Sequence, residues 1–300
     1  MATYHQNVNS SIIMDLIYHY TNASALLGMF KNCSKENPYI TMWATHALYL
    51  NDPTEYEYGK EVCVRLLKNV EEEMNIPQEE RLSERLSDKE SGIKPFLHLM
   101  DVGNSMDANS IGDGFPYIIS LSKNKDRLPM WNTYAQRGNG VAIGFDEDKL
   151  KERNKDWSIK PCYYDVEDKE YLSVRTLIQS IYNNIRQANY QLKNMDSFRI
   201  MDIIQHIYSE AAAYIKHEAY KDEREVRCKV NRASDILYRE SNSLIIPYVE
   251  VNIPFECVKK IIIGPTNDSE RMSNSLFMLV NSKGCKHRLE IEESKIPYRG

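Results

Sequence analysis

Apolar, β-branched runs crowd both ends of this chain, and a long stretch of helical spacing, Glu167 to Ala219, separates them. That order constrains the fold more than any single residue does. Runs at Ile12–Tyr20, Tyr39–Thr45, Pro116–Ser122, Val141–Phe145 and Ile159–Tyr164 read as strands. Glu223–Val230, Leu244–Ile253, Val258–Ile263 and Lys286–Ile291 read the same way. Helical spacing marks Ala23–Phe30, Glu57–Ser87, Asp126–Gln136 and Asp268–Asn281. It holds almost throughout 167–219, with a break near Asn194-Met195-Asp196, while Ser91–Phe115 reads as a connection. The expected architecture is one α+β domain over residues 1–300. It is a mostly antiparallel sheet elaborated by helical insertions at about 55–90 and 167–219.

Bulk properties narrow the function classes. Hydrophobic residues make up 42% of the chain and charged ones 27%, as in soluble globular proteins. The net charge of −5 argues against a large electrostatic footprint for nucleic acid, leaving room for a local basic groove. Cysteines at 33, 63, 162, 228, 257 and 285 show neither a CxxC pair nor Cys/His ligand spacing, so no metal site is expected. Met1-Ala2-Thr3-Tyr4-His5-Gln6 lacks the basic-then-apolar pattern of a leader, and no apolar run approaches membrane-spanning length. The expected setting is therefore reduced and cytoplasmic, with free thiols and no membrane partner. Tyrosine is abundant, 20 residues against 7 phenylalanines, which a compositional habit explains before a wet cleft does.

The chemistry-bearing positions are few. Glu223 and Glu225 stand two apart at the mouth of a strand, so alternation puts both on one face and Arg224 on the other. Two like charges side by side suit a cleft that stabilises a developing cation or grips sugar hydroxyls. They also suit a solvated edge strand, although Val226, Cys228 and Val230 point to a strand that enters the core. Paired carboxylates serve glycoside hydrolysis as well, usually from different elements. His19 ends the first strand between Tyr18 and Tyr20, either as a site histidine or as a structural one. Asn51-Asp52-Pro53-Thr54-Glu55 reads as a turn opening a helix. Ser120 and Ser122 share a strand face, and Trp131 and Tyr134 form a helical pair suited to packing in the core. Gly138-Asn139-Gly140 lacks the context of a phosphate loop.

Taken in order, several motifs resemble a bacterial family of unknown function: Tyr-His-Tyr-Thr, Asn-Asp-Pro-x-Glu, Ser-Leu-Ser, Met-Trp-x-x-Tyr-Ala, Tyr-Lys-x-Glu-x-Glu-x-Arg and Ile-Ile-Ile-Gly-Pro. More distantly, a histidine ending the first strand, a central serine strand and a late Glu-x-Glu resemble the ADP-ribosyltransferase-like superfamily. That resemblance implies a split antiparallel sheet clasping NAD, which serves as substrate. It implies that His19 holds the ribose, that Glu225 is the catalytic carboxylate and that Glu223 orients the acceptor. Tyr20, Thr21, Ser120, Ser122, Trp131 and Tyr134 would line the NAD site, with Tyr20 or Tyr134 stacking on nicotinamide. The implied activity is ADP-ribosyl transfer to a protein or nucleic acid, as in a toxin or phage-defence effector, or NAD hydrolysis. The other reading is a non-catalytic module that binds a nucleotide or a partner in a defence or regulatory complex, through 167–219.

Overall fold

The computed structural model describes residues 15–51, 54–87, 116–164, 171–230, 236–241, 243–266, 268–284 and 289–297 of the 300. In chain order the first elements are β1 (Leu16–Thr21), α1 (Ala23–Phe30), β2 (Tyr39–His46), α2 (Glu55–Glu73) and α3 (Leu82–Ser87). There follow β3 (Tyr117–Ser122), α4 (Leu128–Tyr134), β4 (Val141–Asp146), α5 (Glu147–Arg153) and β5 (Ser158–Pro161). Then come α6 (Leu172–Gln187), α7 (Ser197–Ala211), β6 (Glu225–Val230), β7 (Leu237–Ser241) and β8 (Leu244–Pro254). The last are β9 (Val258–Ile263), α8 (Ser269–Ser282) and β10 (Glu290–Glu293). The protein is thus a mixed α/β chain with open sheet and several helices. The described part of 91–115 is nil, so the connection expected there lies outside the described residues.

The chain divides into two compact units, each assembled from separated segments. Met1–Tyr39, Lys123–Asn154 and Ile253–Gly300 form the first, and Ile40–Ser122 with Lys155–Asn252 the second. In the first, the strand order is β10-β9-β4-β1. β4 pairs antiparallel with β1 and β9, and β10 runs parallel to β9. Flanked on both edges, β4 buries every residue of Val-Ala-Ile-Gly-Phe-Asp, as an interior strand covered on both faces must. Met130 and Trp131 of α4 pack with Tyr18, Tyr20, Ala142 and Ile262 into one apolar cluster.

In the second unit the order is β7-β8-β2-β3-β6-β5. The registers of β2–β3, β3–β6, β5–β6 and β7–β8 are antiparallel, as the sequence pattern leads one to expect. The core is helical: Val62, Leu66 and Val70 of α2 pack with Val174 and Ile178 of α6 and Ile200, Ile204 and Ile207 of α7. Their i, i+3 and i, i+4 spacing places each set on a single stripe. A Cβ on Gly59 would lie 2.4 Å from the carbonyl oxygen of Ala212, so only glycine admits this close approach of α2 to the Ala212–Tyr214 turn. That approach carries Glu55, one turn earlier on α2, toward the same turn.

Some expected boundaries move, for local reasons. The single helix expected over Glu57–Ser87 is two, because Asn75 takes a left-handed conformation (φ 50°) and Pro77 follows it. The helical stretch 167–219 resolves into α6 and α7, with Asp196 capping α7 by accepting from the Arg199 amide, at the break expected near 194–196. The strand expected over Ile159–Tyr164 is shorter, since β5 ends at Pro161. β7 and α5 were not expected: Leu-Tyr-Arg-Glu-Ser and Glu-Asp-Lys-Leu-Lys-Glu-Arg are too short and too polar to signal an element by periodicity alone.

Alternation along β2 is clean. Ile40, Met42, Ala44 and His46 are buried, while Tyr39 and Trp43 are exposed and Thr41 and Thr45 half-buried. His46 closes the buried row. Its Nδ1 accepts from the Leu48 amide at 3.2 Å, and its ring lies edge-on to Tyr49 and Tyr117. Burial lowers its pKa from 6.5 to about 4. The neutral ring is therefore favoured in the fold, and its stabilisation is complete above about pH 6.5 and lost as pH falls toward 4. A His46→Asn variant, which keeps an acceptor for Leu48, is expected to flatten the stability profile over that window. The difference is on the order of 3 kcal/mol between its ends. Urea unfolding at a series of pH values measures it, and an unchanged slope would assign the acid sensitivity elsewhere.

Candidate functional site

β6 reads Glu-Val-Arg-Cys-Lys-Val and is buried throughout. Strand alternation sends Val226, Cys228 and Val230 to one face and Glu225, Arg227 and Lys229 to the other. A row of three ionised side chains on a buried face is tolerated only if each finds a partner of opposite charge. Each does. Lys229 pairs with Glu210 of α7. Arg227 donates through Nε to Glu225 Oε1 at 2.9 Å, through Nη2 to Glu55 Oε1 at 2.5 Å, and through Nη1 to the carbonyl of Ala213 at 2.6 Å. Lys216 Nζ meets Glu225 Oε2 at 2.7 Å, Glu223 Oε2 at 2.7 Å and Glu55 Oε1 at 3.4 Å. Two buried cations are thereby shared among three carboxylates.

The glutamate doublet meets, but by another route than strand alternation. β6 begins at Glu225, whereas Glu223 ends the 3-10 turn Glu218–Glu223. Between them Arg224 adopts a left-handed backbone (φ 45°, ψ 47°), an uncommon state for a residue with a Cβ. This kink, not the pleat, turns both carboxylates onto Lys216. The junction is pinned on three sides. Ser122 Oγ donates to the Glu223 carbonyl at 2.6 Å, the Glu225 amide donates to Tyr164 Oη at 2.6 Å, and the Cys162 amide donates to the Glu225 carbonyl at 2.9 Å.

Electrostatics follow from this packing. Burial by itself would raise the Glu225 carboxyl, but Arg227 and Lys216 overcome it and hold the group at about 2. Burial would lower Lys216, yet Glu225 and Glu55 pull it upward from its ordinary value. Glu55 moves the other way from Glu225: burial raises it, Arg227 opposes, and the neighbouring Glu225 charge adds to the rise. Burial also pushes the Cys162 thiol well up, which makes it a poor nucleophile. Access is uneven across the cluster. Side chains of Glu55 and Glu225 are 6% and 7% exposed, and that of Glu223 is 17% exposed. The Lys216 ammonium also lies 4.9 Å from the centre of the Tyr220 ring, itself an exposed aromatic.

The other residues singled out in the sequence are distributed between the units. Ser120 and Ser122 belong to the second, opposite Arg227 and Glu225 in the β3–β6 register, with Ser120 exposed and Ser122 buried. His19, Tyr20, Thr21, Trp131 and Tyr134 belong to the first. His19 is half-buried on β1 and Thr21 is buried. Tyr20 is buried, donates to the Asn124 carbonyl at 2.9 Å and meets Trp131 edge-on at 4.8 Å. Trp131 has no exposed surface, and its indole N–H is bonded to Asp126 at 2.6 Å. The packing of Trp131 agrees with its core reading, and Tyr20, expected to stack on nicotinamide, lies buried in the same cluster. Tyr134 is partly buried against the same cluster.

Glu55, Lys216, Arg227 and Tyr164 were missed as site residues. Glu55 and Arg227 did stand inside quoted motifs, as the last residue of Asn-Asp-Pro-x-Glu and of Glu-x-Glu-x-Arg. The usable signal was the i, i+2 spacing of Glu225 and Arg227, which puts opposite charges on one strand face. Among the described residues no group of three or more His, Cys, Asp or Glu is placed to hold a metal ion. No helix among them is long and apolar enough to cross a membrane.

The first four residues of the charged strand, Glu225–Cys228, fall inside a recognisable sequence block. Residues 130–228 match the family described as Protein of unknown function (DUF2971). The DUF2971 match runs from α4 to β6 and so includes Trp131, Tyr134, Lys216, Glu223, Glu225 and Arg227. His19, Glu55, Ser120 and Ser122 fall outside it. No curated protein and no solved structure matches the chain.

Proposed function

We propose that the carboxylate cluster is the chemical centre of an NAD-dependent ADP-ribosyltransferase acting on a macromolecule. The observation that carries this reading is the sharing of Lys216 and Arg227 by Glu55, Glu223 and Glu225. When all five groups are ionised, one negative charge is left in excess in a poorly hydrated place. Breaking the bond between nicotinamide and ribose generates an oxocarbenium-like cation, and fixed carboxylates aimed at that charge stabilise it most where water is excluded. The roles divide by access. Both oxygens of Glu225 already accept from Arg227 and Lys216, so Glu225 serves as the fixed anchor of the cluster. Glu223, more exposed and on the same 3-10 turn as Tyr220, is the carboxylate that meets the ribose.

The test is release of nicotinamide from NAD by the purified chain, with and without lysate, using NAD labelled in its adenylate half. Label moving to a lysate macromolecule identifies a transferase, and release without labelling identifies a hydrolase. The engagement of Glu225 by two buried cations favours a second reading, a module that binds a nucleotide or a partner without turnover. NAD bound but unbroken in both conditions would decide for that reading.

A further inference from the structure

We propose that the outward face of the second unit's sheet, at Trp43, Thr45, Arg239 and Tyr248, binds a nucleoside monophosphate, with the base on Trp43 and the phosphate on Arg239. Trp43 is an exposed tryptophan (46% open) on a strand whose alternate residues are in the core. It is also held in place. Its indole N–H donates to Glu250 at 3.2 Å, and its ring packs on Tyr248 with centroids 4.6 Å apart. A large aromatic face kept open yet fixed suits stacking by a flat ligand, because little freedom is left to lose on binding.

Arg239 of β7 supplies the second half of the site. Its guanidinium donates to Thr45 Oγ1 at 3.1 Å and lies 5.8 Å from the centre of the Trp43 ring. Its Nε is screened from solvent and, among the described residues, has no hydrogen-bond partner. Among the described residues no carboxylate forms an ion pair with Arg239, in contrast to Arg227, which has two. Burial accordingly pulls its pKa below the ordinary arginine value, with Tyr248 opposing. A half-buried cation without a counter-charge among the described residues, next to an open indole, asks for a ligand that is both aromatic and anionic. An arginine fork matches phosphate bidentately. A sugar lacks the charge and inorganic phosphate lacks the ring.

The site stands without the transfer reading, because AMP has no nicotinamide bond to break and binding alone tests it. Calorimetric titration of the full chain with AMP, adenosine and inorganic phosphate is the experiment. AMP is expected to bind more tightly than either fragment. Arg239→Gln is expected to weaken AMP by about tenfold while leaving adenosine unchanged. Trp43→Ala is expected to weaken both AMP and adenosine by about tenfold to a hundredfold. Unaltered melting of both variants would show that the loss is local. The proposal is overturned if AMP does not bind, if it binds both variants at full strength, or if phosphate alone binds as well. A single-stranded oligonucleotide binding at least tenfold tighter than AMP on the same two residues would overturn the mononucleotide in favour of a polynucleotide.

Discussion

Replacing Arg227 by methionine is expected to destabilise the second unit by about 3–5 kcal/mol. Arg227 is 2% exposed and binds Glu225, Glu55 and the Ala213 carbonyl at once. Methionine fills much of the same volume but offers no donor, so two buried carboxylates are left to share Lys216. Breaking one partner out of a buried ion network costs far more than the intact network contributes, because the remaining charges cannot recover their hydration. The melting temperature is expected to fall by about 10 °C or more. A pH signature separates this cause from simple loss of packing. In the native protein Glu225 is held at about 2 against an ordinary 4.5, so its stabilisation is present above pH 4.5 and lost as pH falls through 2. Without Arg227 the effect of burial is opposed by Lys216 alone, the Glu225 carboxyl moves up, and that rise in stability between pH 2 and 4.5 shrinks. A loss below about 1 kcal/mol, with the acid limb intact, would show that the network is not what holds β6 in place.

How much of this was legible beforehand depends on range along the chain. The β6 strand and its buried Val226/Cys228/Val230 face follow from a period of two, which is a local property. The convergence of Glu223 and Glu225 was foreseen for the wrong geometric reason, since no residue type signals that Arg224 will take a left-handed backbone. Glu55 was read as part of a turn. Its partner lies 172 positions away, and the approach that joins them depends on Gly59 meeting Ala212, a tertiary contact without periodic trace. The Trp43–Arg239 pair was invisible for the same reason. It needs β7, too short to announce itself, paired with β8, which in turn borders β2. The antiparallel class was readable because alternation and turn signals are local. A relation to the ADP-ribosyltransferase-like superfamily was carried by short motifs alone, and it is now a question for chemistry.

Glu223→Gln puts that question directly. The variant is expected to lose nicotinamide release by about a hundredfold to a thousandfold, the scale of removing one fixed electrostatic contact to a developing charge. Stability should change little. Glutamine keeps the length of the side chain and an oxygen for Lys216, and Glu223 is the more exposed of the two members of the pair. Glu225→Gln makes the contrast. It removes the charge that both Arg227 and Lys216 face, so its loss of turnover should come with a loss of stability comparable to that of Arg227→Met. Measuring turnover and urea unfolding on the same two preparations therefore assigns the roles. Turnover lost at constant stability in Glu223→Gln places the ribose at Glu223 and leaves Glu225 as its anchor. Full turnover in Glu223→Gln, with Glu225→Gln inactive yet as stable as the native chain, would instead put the reacting carboxylate at Glu225 despite its burial. Such a result would mean that the ion pairs to Arg227 and Lys216 open when NAD arrives.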